Sequence, residues 1–457
     1  MSDRAVATGE DGVVDTRTRA RRLAERNPLP EGTISVGVGL AVTGVASYAF
    51  LGVSGHALGP AAVGGLSVLW AMVYLIGPGF FLPLEQEVSR VLAVRLTRGI
   101  GSGPIVRRAA LLGGGLAAVL VVVALAFSPL ITDRFFDGDW LLFVGLAIGI
   151  PAYFVANLIE GTLSGNGRFA RYGVYLGGEA TIRLAICIGC AVAGFATAGP
   201  YGLALGIAPL LAVVPALWRA HGLVTPGPDV PWRELSVALG SLLAASVLAQ
   251  VLINAGPLLV QLLAGPSDDT AVGVFTAAVV VARVPLFVFQ AVQAALLPKL
   301  SAQAAAGHFD EFRSGLWRLL AIIGAIVVTG TVVAFVAGPL VVRLMFGPGF
   351  IATRQTVGLL ALASGIYIMA IALAQAIIAL GRARDVALGW GLGVATLAVV
   401  AVVGRQELLL RIELAFLAGS TAAAMAMAVA LHRAIRQGAQ AHLGDVIESL
   451  HDLPLEP

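Results

Sequence analysis

Long apolar runs dominate the chain, and short polar stretches separate them. Each run has about 20 residues, the length that an α-helix needs to cross the hydrocarbon core of a bilayer. Twelve runs are distinguished, at 33–54, 60–82, 109–131, 140–162, 173–195, 200–217, 236–263, 271–297, 316–340, 356–380, 385–403 and 411–433. The pattern predicts an all-α polytopic membrane protein with twelve transmembrane helices, which we call the predicted spans.

The positions of the basic residues predict the orientation of these spans. Of the 29 lysines and arginines, 22 lie in the tails and alternate loops on one side, and five lie in the loops on the other. Cytoplasmic loops carry an excess of basic residues. We therefore expect a multi-pass protein of the cytoplasmic (plasma) membrane with both termini in the cytoplasm. The remaining two, Arg183 and Arg283, lie inside spans.

The two halves of the chain repeat each other. Pro83 and Pro298 end the second and eighth spans 215 residues apart, and Gly167-Arg168 and Gly381-Arg382 follow the fourth and tenth spans 214 residues apart. Matching positions have the same sidedness, which predicts two parallel six-helix lobes with a ligand site between them. The predicted organisation is a basic cytoplasmic tail (1–31), a first lobe (32–218), a cytoplasmic linker (219–235), a second lobe (236–435) and a cytoplasmic tail (436–457).

Composition excludes several classes of protein. The chain is 58% hydrophobic and 12% charged, whereas soluble domains carry about 25% charged residues. The six histidines show no metal-ligand spacing, and no nucleotide-binding or nucleophile motif stands in context. Cys187 and Cys190 lie within one apolar span, where packing explains them. We expect a protein that is not an enzyme and has no cofactor, metal or nucleic-acid partner.

Polar side chains inside spans are costly and therefore mark candidate functional sites. The candidates for substrate binding are on the seventh and eighth spans: Gln250, Asn254, Gln261, Arg283, Gln290 and Gln293. One cation among amides suits an anionic, oxygen-rich ligand, because Arg pairs with phosphate and amides bond to hydroxyls or phosphate oxygens. The alternative is that the amides only join neighbouring helices.

Three further ionisable residues lie in the first lobe. Glu179 and Arg183 are four residues apart with the acid first, the favourable order for an ion pair within one helix. We interpret them as a structural pair, with proton or ion coupling as the alternative. Glu160, near the end of the fourth span, is a candidate for the same region.

Two other patterns concern helix packing and the membrane interface. Gly145/Gly149, Gly173/Gly177, Gly202/Gly206 and Gly389/Gly393 have the spacing that lets helices approach closely. The amphipathic segment 84–98, with Arg90, Arg95 and Arg98, is expected to lie at the membrane interface.

Several stretches resemble polysaccharide flippases of the MOP (multidrug/oligosaccharidyl-lipid/polysaccharide) superfamily, which includes exporters of O-antigen and teichoic-acid precursors. They are GFFLPLEQEVSRVLAVR (79–95), LIEGTLSGNGRFARYG (158–173), VARVPLFVFQAVQAALLPKLSAQAAAGHFDEFR (281–313), PLVVRLMFGPGF (339–350) and LAQAIIALGRARD (373–385). The resemblance implies two MATE-like lobes that open alternately and move an undecaprenyl-type lipid-linked oligosaccharide from the inner to the outer leaflet. It also puts the basic position of the family's eighth span at Arg283. Glycan polymerases and glycosyltransferases are the protein partners it suggests.

The sequence departs from two branches of that superfamily. The first two spans lack the arginines usual in peptidoglycan-precursor relatives, and 33–54 lacks the carboxylate usual in drug-extruding relatives. The polysaccharide branch is therefore favoured. The alternatives are a cation-coupled small-molecule exporter that uses Glu160 or Glu179, a major-facilitator-type transporter, whose signature after the second span is missing, and a membrane scaffold for glycan synthesis. The oligomeric state is left open.

Overall fold

The computed structural model describes residues 33–229, 232–265, 268, 270–286 and 309–451; side chains are described within these ranges except for Thr33, 232–238, 309–310 and 437–451. All regular structure in these ranges is helical. The helices are α1 (Thr33–Ile76), α2 (Leu82–Thr97), α3 (Gly103–Ala126), α4 (Ser128–Phe135), α5 (Trp140–Gly165), α6 (Phe169–Val192), α7 (Gly199–Leu217), α8 (Trp232–Leu263), α9 (Ala271–Ala282), α10 (Phe309–Phe346), α11 (Arg354–Ala379), α12 (Ala383–Val403) and α13 (Leu408–His451). A π-helical turn, Gly77–Phe81, joins α1 to α2.

The predicted spans map onto these helices. Ten continuous helical stretches in the described ranges are long and apolar enough to cross a membrane. One of them, Ile34–Thr97, contains both the first and the second predicted span, and the shorter apolar helix Ala271–Leu286 begins the eighth. The all-α membrane architecture is confirmed.

A bend in α1 separates the first two spans without a loop. Gly59 has φ 72° and ψ 173°, which is not helical, and Pro60 follows it. Glycine adopts positive φ without the steric cost that a Cβ would bring, and proline lacks the N–H that would continue the helical hydrogen bonds. The chain therefore reverses across the membrane at this dipeptide.

Helix contacts repeat between the two halves. In the first half α1 packs on α6, α2 and α3 on α5, and α7 on both α5 and α6. In the second half α8 packs on α12, α9 and α10 on α11, and α13 on both α11 and α12. Each pair in one half corresponds to a pair in the other when the spans are numbered in order, as a parallel repeat requires.

Glycines bring the helices of the first lobe into backbone contact. A Cβ on Gly145 of α5 would lie 2.7 Å from the Gly202 carbonyl oxygen of α7, and one on Gly206 would overlap the Gly145 carbonyl. A Cβ on Gly39 of α1 would lie 2.6 Å from the Gly173 carbonyl oxygen of α6. The packing role predicted for these glycines is confirmed.

The amphipathic segment 84–98 differs from its prediction. It forms α2, whose apolar residues Leu84, Val88, Val91 and Leu92 pack against α3, α5 and Leu239 of α8. Arg95 is 9% exposed and bonds to backbone carbonyls instead of facing lipid headgroups. The apolar face covers protein because the first lobe and α8 meet there, a contact between distant segments that periodicity alone cannot reveal.

The two halves contact each other at both ends of the bundle. At the end away from the termini, predicted to be the outer end, Gln261 of α8 donates to Asp137 Oδ1 after α4 at 3.0 Å. Gly273 of α9 abuts the Pro60 carbonyl there. Toward the other end, Ser246 Oγ of α8 donates to the Pro78 carbonyl at 2.8 Å.

Candidate functional site

Arg283 stands at a break in the eighth span. α9 ends at Ala282, and the Arg283 N–H bonds to the Val279 carbonyl at 3.0 Å. Arg283 is a single turn residue, and helical structure resumes at 284–286; Pro285, which has no N–H and restricts the residue before it, accounts for this irregularity. Twelve residues separate Arg283 from Ala271, about 18 Å along a helix axis, which places it near the middle of a hydrocarbon core about 30 Å thick.

The Arg283 guanidinium turns toward α8. Its Nη2 donates to the Ile253 carbonyl, and its Nη1 lies 3.4 Å from Asn254 Oδ1. Asn254 in turn donates from Nδ2 to Gln250 Oε1 at 3.0 Å. The buried Nε has no hydrogen-bond partner among the described residues. The guanidinium is therefore bonded to neutral groups and retains a donor.

Two tyrosines complete the surroundings of Arg283. Tyr48 of α1 donates to the Val280 carbonyl at 3.2 Å, and Tyr367 of α11 donates to the Ala249 carbonyl at 3.2 Å. The Val280 carbonyl that Tyr48 contacts also lies 3.3 Å from the backbone nitrogen of Arg283. Helices from both lobes thus meet at this arginine, as expected of a ligand site between lobes.

The predicted substrate-binding residues fall into three groups. Arg283, Asn254 and Gln250 lie together. Gln261 bonds to Asp137 at the outer end of the bundle and does not face Arg283's partners. Gln290 and Gln293 lie outside the described residues. Their binding roles stay predictions.

The first lobe holds its own buried arginine in different surroundings. Arg183 is 0% exposed, and its Nη1 lies 2.5 Å from Glu179 Oε1 within α6. Its Nη2 donates to Ser47 Oγ at 2.8 Å, and its guanidinium carbon lies 5.1 Å from the centre of the Trp70 ring. The carboxylate neutralises the cation, and the aromatic face adds a cation–π contact. This is the geometry of the structural pair expected from the spacing.

The repeat brings out a difference between the two arginines. Tyr153 and Tyr367 are 214 residues apart, at matching positions of the fourth and tenth spans. Tyr367 bonds to α8, the helix that also accepts a hydrogen bond from the Arg283 guanidinium. The first-lobe arginine has a carboxylate partner, whereas the second-lobe arginine has none among the described residues.

A carboxyl pair in the first lobe includes a residue that the sequence did not single out. Glu85 of α2 is 8% exposed and accepts from the Tyr172 hydroxyl at 3.2 Å. Its backbone packs against Gly161 of α5, the chain neighbour of the predicted candidate Glu160. Glu85 was missed because it lies in a segment with the composition of a solvated amphipathic helix. Its 25-residue distance from Pro60 was the available signal that α2 extends the second span.

Comparisons with known sequences give relatives of similar length. No protein-family model matches the chain. The uncharacterized protein Rv1510 of Mycobacterium tuberculosis is 27% identical over 408 residues, covering 85% of this chain and 88% of that protein. The uncharacterized protein Rv3630 of the same organism is 28% identical over 372 residues, covering 78% of this chain and 81% of that protein.

Comparisons with solved structures show the fold. An inward-facing multidrug-resistance MATE family transporter of the MOP superfamily matches with TM-score 0.68 and 13% identity over 88% of this chain and 98% of that chain. The outward-facing conformation of such a transporter matches with TM-score 0.66 and 14% identity over 89% and 95%. A MOP superfamily transporter from Pyrococcus furiosus, described by the reversed polarity of its binding pocket, matches with TM-score 0.63 and 14% identity over 89% and 94%. The chain has the MATE fold of two six-helix lobes.

Proposed function

We propose that this protein is an alternating-access transporter that moves a lipid-linked oligosaccharide or polysaccharide precursor across the cytoplasmic membrane. Arg283 binds the phosphate of the substrate between the lobes, and the amides of Asn254 and Gln250 accompany it. The fold supports transport, because solved structures with this fold include inward-facing and outward-facing conformations. Both lobes contribute to the surroundings of Arg283, so the motion of either lobe would change the contacts of a ligand bound there.

The lack of a carboxylate partner at Arg283 within the described part of the chain carries the proposal. A charge inside the membrane is expensive, and such residues usually pair with an opposite charge or serve a ligand. Arg183 meets the first condition and Arg283 does not. Phosphate suits Arg283 because a guanidinium binds its oxygens through two parallel N–H donors. Neutral amide partners leave room for such an anion, since they do not cancel the charge.

The test is a set of Arg283 variants in a bacterial host that lacks its own copy of the gene. We expect Arg283→Gln to reduce surface glycan at least tenfold and to raise the amount of lipid-linked precursor in the membrane. Arg283→Lys keeps the charge without the planar fork and should retain part of the activity. Arg343→Gln, at the exposed end of α10, is the matched control. Wild-type surface glycan in a normally expressed Arg283→Gln strain would refute the proposal.

The carboxyl pair Glu85–Glu160 favours a second candidate, a cation-coupled exporter of small molecules. In such an exporter, one of the two carboxyl groups carries the coupling proton while α2 and α5 are in contact and releases it when the two helices separate. Under this alternative, Glu85→Gln and Glu160→Gln each abolish proton movement that accompanies export, measured with a pH-sensitive dye in proteoliposomes loaded with a cationic drug. Unchanged drug resistance in a deletion strain that has lost surface glycan rejects the alternative.

A further inference from the structure

A cleft of about 610 Å³ opens beside the first half of α1, just before the bend at Gly59. Its wall includes Tyr48, Gly52, His56 and Ala57 of α1, Ala191 at the end of α6 and Met345 at the end of α10. Among all its lining side chains only those of Tyr48 and His56 carry polar atoms. The Tyr48 hydroxyl donates to the Val280 carbonyl, and His56 Nδ1 hydrogen bonds to the Gly52 carbonyl at 2.9 Å. Because those atoms face backbone, the cleft offers a largely apolar surface, of a volume usual for ligand sites.

The inner end of this cleft reaches the Arg283 site. Tyr48 lines the cleft, and its hydroxyl shares the Val280 carbonyl with the N–H of Arg283. The cleft wall at Tyr48 therefore lies within one helical turn of the Arg283 backbone. A ligand that spans both must combine an anion with an apolar chain.

We infer that the cleft binds the apolar chain of the lipid phosphate whose headgroup Arg283 holds. This inference rests on the proposed function and adds the position of the lipid chain. The occupant is the transported lipid and not a bulk phospholipid, because Arg283 lies near mid-membrane, whereas a bulk phospholipid keeps its phosphate at the interface. Charge complementarity at Arg283 and the continuity through Tyr48 both select an amphiphilic anion.

Binding to the purified full chain in detergent, measured by native mass spectrometry, tests the inference with three probes. Undecaprenyl phosphate has both parts, geranyl phosphate has the phosphate with a short chain, and undecaprenol has the chain without phosphate. We expect undecaprenyl phosphate to bind at least tenfold more tightly than either of the others. Dioleoylphosphatidylglycerol should compete at least tenfold less well.

Two sets of variants separate the chain from the headgroup. Ala57→Trp and Ala49→Trp fill the cleft and should lower the affinity for undecaprenyl phosphate to that for geranyl phosphate. Val119→Trp, on the exposed face of α3, should leave it unchanged. Arg283→Gln should lower the affinity for undecaprenyl phosphate to the affinity for undecaprenol. Ala57 is exposed, so its variant is expected to fold even if the Ala49 variant does not.

The outcomes distinguish this inference from the proposed function. If both tryptophan variants keep the dependence on chain length, or if phosphatidylglycerol competes equally, the cleft does not hold the substrate chain and the inference fails. In that case the proposed function stands, provided that Arg283→Gln removes the preference for phosphate. If Arg283→Gln keeps that preference, the proposed function fails.

A second inference rests on independent contacts of the predicted linker. Ser102 Oγ donates to the Leu223 carbonyl at 2.9 Å, and the Gly103 N–H donates to the Thr225 carbonyl at 2.8 Å. Arg95 Nη2 donates to the Pro228 carbonyl at 2.9 Å. Further contacts are those of Asn166 with Leu223, of Arg108 with Asp229 and of Arg171 with the Arg219 carbonyl.

These contacts all tie the linker to the first lobe. A Cβ on Gly101 would overlap the Pro226 carbonyl, so the chain packs at backbone distance. We infer that residues 219–229 of the predicted linker move with the first lobe.

Hydrogen–deuterium exchange on the full chain in nanodiscs tests this attachment. The amides of Gly103 and Thr225 are hydrogen bonded and should exchange at least tenfold more slowly than that of Gly222, whose N–H makes no backbone hydrogen bond within the described residues. A Ser102→Cys/Thr225→Cys disulfide, at positions whose hydroxyl oxygens are 3.5 Å apart, should form without changing this pattern. Equal exchange at the three amides would overturn the inference.

Discussion

The Glu179–Arg183 pair gives the sharpest test of energetics in the first lobe. Glu179→Gln leaves a guanidinium that is 0% exposed with only Ser47 and aromatic rings as partners. Arginine cannot shed its charge. Removing one partner of a buried ion pair costs about 3–5 kcal/mol. For a domain the size of one lobe, each kcal/mol of lost stability lowers the thermal unfolding midpoint by about 2–4 °C. The midpoint of Glu179→Gln should therefore fall by about 6–20 °C.

The opposite variant should behave differently. Arg183→Met leaves Glu179, which is 12% exposed and can take up a proton, so the uncompensated charge disappears. The double variant Glu179→Gln/Arg183→Met should be more stable than Glu179→Gln alone, because no buried charge remains. Thermal unfolding of the detergent-purified protein, followed by fluorescence-detected size exclusion, measures all three.

Additive effects in this double-mutant cycle would refute the structural reasoning. A coupling energy near zero would mean that the two side chains do not stabilise each other, in spite of the 2.5 Å contact. Loss of transport in Glu179→Gln at unchanged stability would instead assign the pair to ion coupling. The structural interpretation requires that stability and transport fall together.

Three further predictions concern helix contacts. Gly206→Ala should destabilise the protein by about 1–3 kcal/mol and so lower the unfolding midpoint, because its Cβ would overlap the Gly145 carbonyl. Gly189→Ala, whose Cβ would have open space, should be neutral or slightly stabilising in the same unfolding assay. Asp137→Cys/Gln261→Cys should be joined by a short bifunctional thiol reagent, with a mobility shift on gels as the readout, because the native side chains hydrogen bond across the lobes. Gly273→Leu should reduce that crosslinking at least threefold, because its side chain would meet the Pro60 carbonyl and hold the outer ends apart.

Much of the architecture was predictable because membrane insertion imposes simple rules. Backbone groups in lipid must be bonded within a helix, so apolar runs of the right length reveal the helices directly. The glycine spacing predicted close approaches such as Gly145 to Gly202, because two glycines four positions apart on one helix face can be recognised within a short segment of sequence. The bend at Gly59-Pro60 belongs to the same class, since a glycine free to adopt positive φ followed by a proline that lacks an N–H is a local sequence feature.

Contacts between distant segments were less accessible. Gln261 lies on the same helix as Gln250 and Asn254, but its partner Asp137 is 124 residues away, in a turn before α5. The Glu85–Glu160 pair likewise depends on how α2 packs against α5, which no periodicity in either segment specifies. The sequence could place polar groups at a depth in the membrane, whereas the partner of each group is decided by tertiary packing.

The different surroundings of the two buried arginines bear on the energy source of the proposed transport. Arg183 is neutralised by Glu179, so Arg283 supplies the uncompensated charge at the site. Because Arg283 stays with the protein, outward movement of a lipid phosphate carries net negative charge across the membrane. An interior-negative potential favours this step by about 2.3 kcal/mol per charge per 100 mV.

A flippase of this kind therefore needs no coupled cation, whereas the alternative exporter does. We expect valinomycin with potassium, which collapses the potential, to stop lipid-phosphate translocation in proteoliposomes. We expect nigericin, which collapses the pH gradient, to leave translocation within twofold. The reverse sensitivity would assign the energy source to the Glu85–Glu160 proton and would favour the exporter, since only that mechanism uses proton release when α2 separates from α5.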